Sequence, residues 1–385
     1  MTSRRITLTL ESRATYGYSA NVMVAMRAFP ELTPQTVVTG THLMAEFGNT
    51  VDLIRADGFP VSEEVPFSPD EKGKASWARA LGAALSGYAN AFERLRPDVV
   101  LLSGDRAETL ACCVAAAYMG IPVAHIQAGD KSGHIDDAAR YAIGKLAHIH
   151  FASCQDSADR LIRMGEQPER VFNVGAPQLD DIVGHDFSAD AIEFEGRNID
   201  LSDPYILLVQ HPVMVEQDDA TAQMKASLSA CLDSGHRVIW IYPNSDQGYR
   251  AILDVIADNS DDERVIALQN VERDDYLKLL ANAAALVGNS SSGILEAPSF
   301  RVPVVNIGTR QRGRPQASNI LNCSNAQADI LTTIKQALEE PEFRRRCEAA
   351  ENPYGDGKSA VRICEILRDI PLDRSLVDIP YRAEV

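Results

Sequence analysis

The stretch 99–151, VVLLSGDRAETLACCVAAAYMGIPVAHIQAGDKSGHIDDAARYAIGKLAHIHF, leaves few folds open. It reads strand, helix, strand, polar loop, helix, strand. Residues 99–102 form an apolar run that stops at Ser103-Gly104-Asp105-Arg106. Residues 107–119 are a small-residue run of helical length, and 123–126 are a second short apolar run. Short apolar runs alternating with helical ones specify a parallel sheet covered on both faces. Each strand is followed by charged and glycine-bearing residues, and that carboxyl edge is where such sheets hold ligands. Asp105, Arg106, Asp130, Lys131, Asp136, Asp137 and Arg140 collect there.

The alternation extends along the chain. Strands are expected at 6–10, 36–39, 61–65 and 171–174. Helices are expected from the loop 11–17 to 28, at 44–56, 75–95 and 155–164, with a Pro/Gly/charge linker at 66–74. Over 175–204 the pattern loosens into an acidic, Pro- and Gly-bearing connection. It restarts with strands 205–209, 238–242, 265–268, 284–287 and 304–307. Helices fall at 220–234, 247–258, 274–281, 294–300, from 329 onward and near 359–367. A chain of 385 residues exceeds one ordinary core. The expectation is therefore α/β, with two doubly wound domains at 1–180 and 200–370 and a ligand cleft between them. The C-terminal helical tail is expected to pack back on the first domain.

A net charge of −17 excludes a nonspecific nucleic-acid binder. The seven cysteines are scattered without a CxxC pair and read as buried free thiols. The start MTSRRITLTLESR lacks the apolar core of a signal peptide, and no run has bilayer length, so the expectation is a cytoplasmic enzyme away from membranes.

Gly288-Asn-Ser-Ser-Ser-Gly293 follows a strand and opens a helix. Its free backbone N–H groups suit an anion, and a plain serine cap fits as well. Arg310, Arg312 and Arg314 after the next strand favour a diphosphate site, with solvated loop charge as the alternative. His211, in Gln210-His-Pro212, ends another strand and could donate to phosphate or act as an acid. His148 and His150 read as packing residues, and their spacing does not fit zinc. Asp105 and the pair Asp136-Asp137 are acid/base candidates. Asp136 and Arg140 stand four apart and can share a helix face, and Asp136 or Asp137 could equally cap that helix.

These residues resemble the hydrolysing UDP-N-acetylglucosamine 2-epimerase family. The matched runs include Ser12-Arg13-Ala14-x-Tyr16, Gly40-Thr41-His42-Leu43, Gly104-Asp105-Arg106-x-Glu108 and Ile135-Asp136-Asp137-x-x-Arg140. They continue in Gln210-His211-Pro212, Tyr242-Pro243-Asn244, Gly288–Gly293, Gly308-Thr309-Arg310 and Asn352-Pro353-Tyr354-Gly355. The resemblance implies a glycosyltransferase-B-like fold, two Rossmann-like domains with the nucleotide sugar in the interdomain cleft. It implies that Arg13, His211, Ser290, Ser291, Glu296 and Arg310 hold UDP, with Glu296 on the ribose. Asp105, Asp136 and Arg140 would surround the sugar, with Asp130 and His211 joining the catalytic candidates. His42, Arg106, Gln127, Asn244 and Ser292 complete the substrate-binding set. The implied reaction eliminates UDP to a glycal, then adds water with C2 inverted, and needs neither cofactor nor metal. A homo-oligomer, dimer or tetramer, is implied too.

Departures cluster at the sugar end. Gln127 stands where some relatives carry a catalytic Glu, and Ala128-Gly129-Asp130 replaces Gly-Gly-Glu. Thr15 replaces an Asp and Tyr141 a His. Either the sugar differs, for example a 2,4-diacetamido-6-deoxy sugar of legionaminic-type routes, or Asp130 takes over from the lost Glu. Competing readings are a non-hydrolysing epimerase, a glycosyltransferase of the same fold and a sugar-nucleotide sensor without catalysis.

Overall fold

Two parallel sheets account for most of the strands. The computed structural model describes residues 3–45, 48–69, 75–131, 136–243 and 248–377. In order, the elements are β1 (Arg4–Leu10), α1 (Arg13–Met26), β2 (Leu32–Thr39), α2 (Val51–Ala56), β3 (Glu63–Val65), α3 (Ser76–Leu95), β4 (Val99–Ser103) and α4 (Ala107–Tyr118). Then come β5 (Val123–Ile126), α5 (Asp136–Leu146), β6 (Ile149–Ala152), α6 (Gln155–Arg163), β7 (Val171–Asn173), β8 (Ala191–Phe194), β9 (Arg197–Asp200) and β10 (Tyr205–Val209). They are followed by α7 (Ala220–Asp233), β11 (Arg237–Ile241), α8 (Tyr249–Asp258), β12 (Val265–Leu268), α9 (Arg273–Ala281), β13 (Ala285–Gly288), α10 (Ser292–Leu295) and α11 (Ala297–Phe300). The last are β14 (Val304–Ile307), β15 (Ile320–Cys323), α12 (Gln327–Glu339), α13 (Pro341–Glu348), α14 (Ser359–Asp369) and α15 (Arg374–Val377). No helix among the described residues is long and apolar enough to cross a membrane.

The chain divides into two units, residues 1–181 with 354–385 and residues 182–353. In the first, the parallel sheet runs β3-β2-β1-β4-β5-β6-β7. Successive side chains take opposite faces. Ile6, Leu8, Leu10, Val99 and Leu101 share a core with Val22 and Met23 of α1 and Ile363 and Leu367 of α14. Val100, Leu102 and Val123 pack with α3 and α4 through Ala84, Tyr88, Ala111 and Cys112. Thr7 and Thr9 alternate with the apolar residues of β1 and are fully buried, each with a hydrogen-bond partner, Gln35 and Glu11. The start of α14 is held by Asp180, whose carboxylate accepts the N–H of Ser359 and Ala360 at 3.0 and 2.6 Å. Arg4 donates to the carbonyls of Leu367 and Ile370 at its other end.

In the second unit the order is β12-β11-β10-β13-β14-β15, again parallel, over a core built on Trp240, Ile206 and Val287. Strand order reverses between β1 and β4 in one sheet and between β10 and β13 in the other. Those are the switch points at which doubly wound sheets open a crevice beyond the strand ends.

The structure corrects four expectations. The stretch 175–204 holds the antiparallel hairpin β8–β9, turned by Glu195 and Gly196, both at positive φ; a two-residue turn of that hand suits a hairpin. The helix expected over 44–56 is confined to α2, after a 3-10 turn at Gly40–Leu43. β15, a short edge strand carrying Asn322, was not expected. The helix expected at 294–300 is two single turns broken at Glu296, because Pro298 has no N–H to return to the Ile294 carbonyl and is accommodated in the first turn of α11.

Candidate active site

The carboxyl edge of the first sheet gathers charged groups from the ends of β1, β4 and β5 and from α5. After β4, Asp105 pairs with Nη2 of Arg140 from α5. Nη1 of Arg140 donates to the Gln127 carbonyl after β5 at 2.9 Å. The Arg140 side chain is only 5% exposed. Burial opposes its charge, yet Asp105 and Asp130 hold it above the ordinary guanidinium range. Gln127 adopts φ +59°, rare for a residue with a side chain, and its carbonyl also accepts the Asp130 N–H. Asp130 itself is buried. Its Oδ1 accepts two hydroxyls, Ser153 beyond β6 at 2.5 Å and Ser157 on α6 at 2.7 Å. Two donors on one oxygen fix the plane of that carboxylate.

Beside this cluster lie Arg13, His42 and Arg106. His42 is fully buried, with Nδ1 2.7 Å from the Thr50 hydroxyl. Burial pushes its imidazole down to about 4, and the charges of Arg13 and Arg106 add to that, so it is neutral near pH 7. His125, on β5, hydrogen-bonds the Gly104 carbonyl at 2.7 Å and is pushed to about 3 by burial.

At the second switch point Asn289 ties two strand ends together. Its Oδ1 accepts the His211 N–H at 2.7 Å and its Nδ2 donates to the His211 carbonyl at 2.8 Å. Arg310 and Gln311 both donate to the Asn289 carbonyl. Gly288 lets β13 approach: it has φ +134°, and a Cβ there would fall 2.1 Å from the Val209 carbonyl oxygen. His211 is pushed down to about 3 by burial and then by Arg310. Glu296, at the break between α10 and α11, accepts Ser292 Oγ and Arg273 Nη1, each at 2.6 Å. Tyr276 donates to that same Ser292 hydroxyl at 2.6 Å. An oriented carboxylate suits a diol, and arginine beside a loop of backbone N–H groups suits an anion.

The family profile of UDP-N-acetylglucosamine 2-epimerases matches residues 24–368. The chain is 37% identical over 375 residues to the UDP-N,N'-diacetylbacillosamine 2-epimerase (hydrolyzing) of Legionella pneumophila, covering 97% of this chain and 98% of that one. The chain belongs to the UDP-N-acetylglucosamine 2-epimerase family. It is 30% identical to the GDP/UDP-N,N'-diacetylbacillosamine 2-epimerase (hydrolyzing) of Campylobacter jejuni, over 90% of each chain. In fold it is similar to the crystal structure of the UDP-GlcNAc 2-epimerase from Neisseria meningitidis bound to UDP-GlcNAc. That likeness has TM-score 0.78 and 19% identity, over 94% of this chain and 99% of that one. The fold is glycosyltransferase-B-like, with seven- and six-stranded parallel sheets.

In this UDP-sugar 2-epimerase most of the residues singled out from sequence fall into two sets. Arg13, His42, Asp105, Arg106, Gln127, Asp130 and Arg140 share the first sheet's edge. His211, Ser290, Ser291, Ser292, Glu296 and Arg310 share the second's. Asn244 lies outside the described residues, as does the side chain of Asp136. Three details differ from expectation. Arg140 reaches Asp105 rather than serving only its own helix face. The three arginines of the 308–315 loop separate: Arg310 turns onto Asn289, Arg314 onto Gln311, and Arg312 is exposed. The Ser292 hydroxyl is taken up between Tyr276 and Glu296. Sequence reasoning missed Ser153, Ser157, Arg273 and the Asn289 lock. Ser153 and Asn289 do directly follow strands, which was the available signal.

Proposed function

We propose that this epimerase is of the hydrolysing type and acts on a UDP-2,4-diacetamido-6-deoxy sugar. Asp105, Asp130 and Arg140 on one sheet edge carry the reading, because C2–H is weakly acidic and its removal needs a desolvated, oriented carboxylate. Asp130 is the base. It takes the C2 proton, the C2–H electrons form the C1=C2 bond, and the C1–O bond breaks to release UDP. Water then adds hydroxyl to C1 while a proton returns to the opposite face of C2. The products are UDP and the C2-inverted free sugar. Arg310, His211, Ser290 and Ser291 in the second unit hold the diphosphate, whose growing charge they neutralise. Glu296, oriented by Ser292 and Arg273, takes the ribose hydroxyls. Gln127 carries an amide and cannot be the base. From the first unit, Arg13 contributes to holding UDP, and His42, Arg106, Thr15 and Tyr141 contribute the sugar end.

The two hydrolysing relatives that act by name on diacetylbacillosamine nucleotides support both the hydrolytic outcome and the altered sugar. The test is a side-by-side assay of UDP release from UDP-N,N'-diacetylbacillosamine and UDP-N-acetylglucosamine. The expected result is a kcat/KM at least tenfold higher for the diacetamido substrate. Equal turnover of the two removes the altered-sugar part. A UDP-linked epimer as sole product removes the hydrolytic part.

A further inference from the structure

Glu11 and Glu108 are carboxyl groups buried in the first unit that the proposed reaction leaves unused. Glu11, directly after β1, is wholly buried, and Glu108 in the first turn of α4 is 1% exposed. Glu108 Oε1 accepts Nε and Nη2 of Arg106 at 3.3 and 3.1 Å. Glu11 Oε1 accepts the hydroxyls of Thr9 and Thr109 at 2.8 and 3.0 Å. The second oxygen of each, Glu11 Oε2 and Glu108 Oε2, has no hydrogen-bond partner among the described residues. Gly40 closes over the pair at φ +58°. A Cβ there would lie 2.6 Å from the Glu11 carbonyl oxygen and 2.7 Å from Glu108 Oε1.

Two buried carboxyl groups thus lie beside one guanidinium, and like charges so placed favour keeping one proton. The groups bearing on Glu11 are Thr9, Thr15 on α1, Glu108, Thr109 and Cys112 on α4, Tyr88 on α3, and Arg106. Burial raises the Glu11 carboxyl, Thr9 offsets part of that, and Glu108 raises it again, to about 7. Glu108 faces the Arg106 guanidinium while Glu11 meets only hydroxyls, so Glu11 is the member placed to hold the proton. The Arg106 side chain is 37% exposed and, with Arg13, bears on His42.

We propose that Glu11 is a positioning residue whose carboxyl keeps its proton during turnover, so that Glu108 alone anchors Arg106 and the cluster offers the bound UDP-sugar no net negative charge. Loss of that proton places a second anion behind Arg106 and leaves the cluster with a net negative charge facing the anionic UDP-sugar. This rests on the reading of Arg106 as a substrate-facing group.

The experiment is the pH profile of kcat/KM for the wild type and Glu11→Gln, with a carbon-13 NMR titration of the glutamate carboxyls. If only the protonated form is active, a midpoint of about 7 makes kcat/KM about tenfold lower at pH 8 than at pH 6. In Glu11→Gln the ratio falls to near one, and the carboxyl signal titrating near pH 7 disappears. Thr109→Val, which removes a donor that favours the ionised form, moves the limb to higher pH. An unchanged alkaline limb in Glu11→Gln, or a Glu11 signal titrating in the ordinary carboxylate range, overturns the proposal. If the wild type turns over no UDP-sugar, the proposed function falls, while the NMR titration still decides the protonation of Glu11.

Discussion

Arg140→Met removes the guanidinium that organises the first sheet's edge while keeping an aliphatic stem. It takes from the Asp105 carboxylate, 17% exposed, the guanidinium it pairs with, and from the Gln127 carbonyl its 2.9 Å donor. Breaking a buried ion pair by removing one partner costs about 3–5 kcal/mol. Asp105 keeps some water, which places the expected loss near the lower end, about 3 kcal/mol. The two tryptophans permit a clean measurement, since Trp77 lies on α3 of the first unit and Trp240 on β11 of the second. In a Trp240→Phe background, Trp77 fluorescence reports urea unfolding of the first unit alone. A double-mutant cycle with Asp105→Asn should give a coupling energy of about 2 kcal/mol, the double variant losing less than the sum of the singles. A loss under about 1 kcal/mol for Arg140→Met, or strictly additive singles, refutes the pairing as the organising contact.

Ser153→Ala and Ser157→Ala each remove a donor to Asp130, and each should lower kcat about tenfold with little change in KM, as expected for a hydrogen bond to an ionised group; the threonine variants should recover activity. Arg273→Ala releases Glu296 and should weaken UDP binding about tenfold by titration calorimetry, leaving secondary structure unchanged. His42 and His125 are buried with imidazoles pushed to about 4 and about 3, below the ordinary 6.5. Below pH 6.5 the unfolded chain takes up protons that the folded one refuses. The stability present above pH 6.5 is therefore lost as the pH falls towards 4, by about 1.4 kcal/mol per pH unit per histidine. The urea midpoint should fall over that range, and His125→Gln should reduce the slope.

The βα alternation was legible because parallel strands buried on both faces leave uninterrupted apolar runs, as in Val99–Ser103 and Tyr205–Val209. Such runs also mark their own carboxyl ends, which is why Asp105, Arg106, His211 and Ser290 read from sequence as sheet-edge residues. Edge strands hid themselves: β15 carries polar residues on its open side, and β8–β9 is a short antiparallel hairpin within an acidic stretch. Pairings across the fold were the least legible part. Nothing local in Glu11 says that it shares a pocket with Glu108, 97 positions later, and nothing in Asp130 announces Ser153 and Ser157. Those contacts exist because the strand order brings β1 beside β4, and β5 beside β6. The break at Glu296 was readable in Pro298, whose effect on the preceding turn outweighs the helical composition around it.

Proton removal at C2 coupled to departure of UDP is the central step of the proposed reaction. Turnover of the UDP-2,4-diacetamido-6-deoxy sugar in deuterated water, followed by phosphorus and proton NMR, tests it most directly. The predicted outcome is free UDP and a C2-inverted sugar carrying one deuterium at C2, with both signals lost together in Asp130→Asn. Recovery of the UDP-sugar with its C2 hydrogen intact, or release of UDP without deuterium at C2, would contradict it.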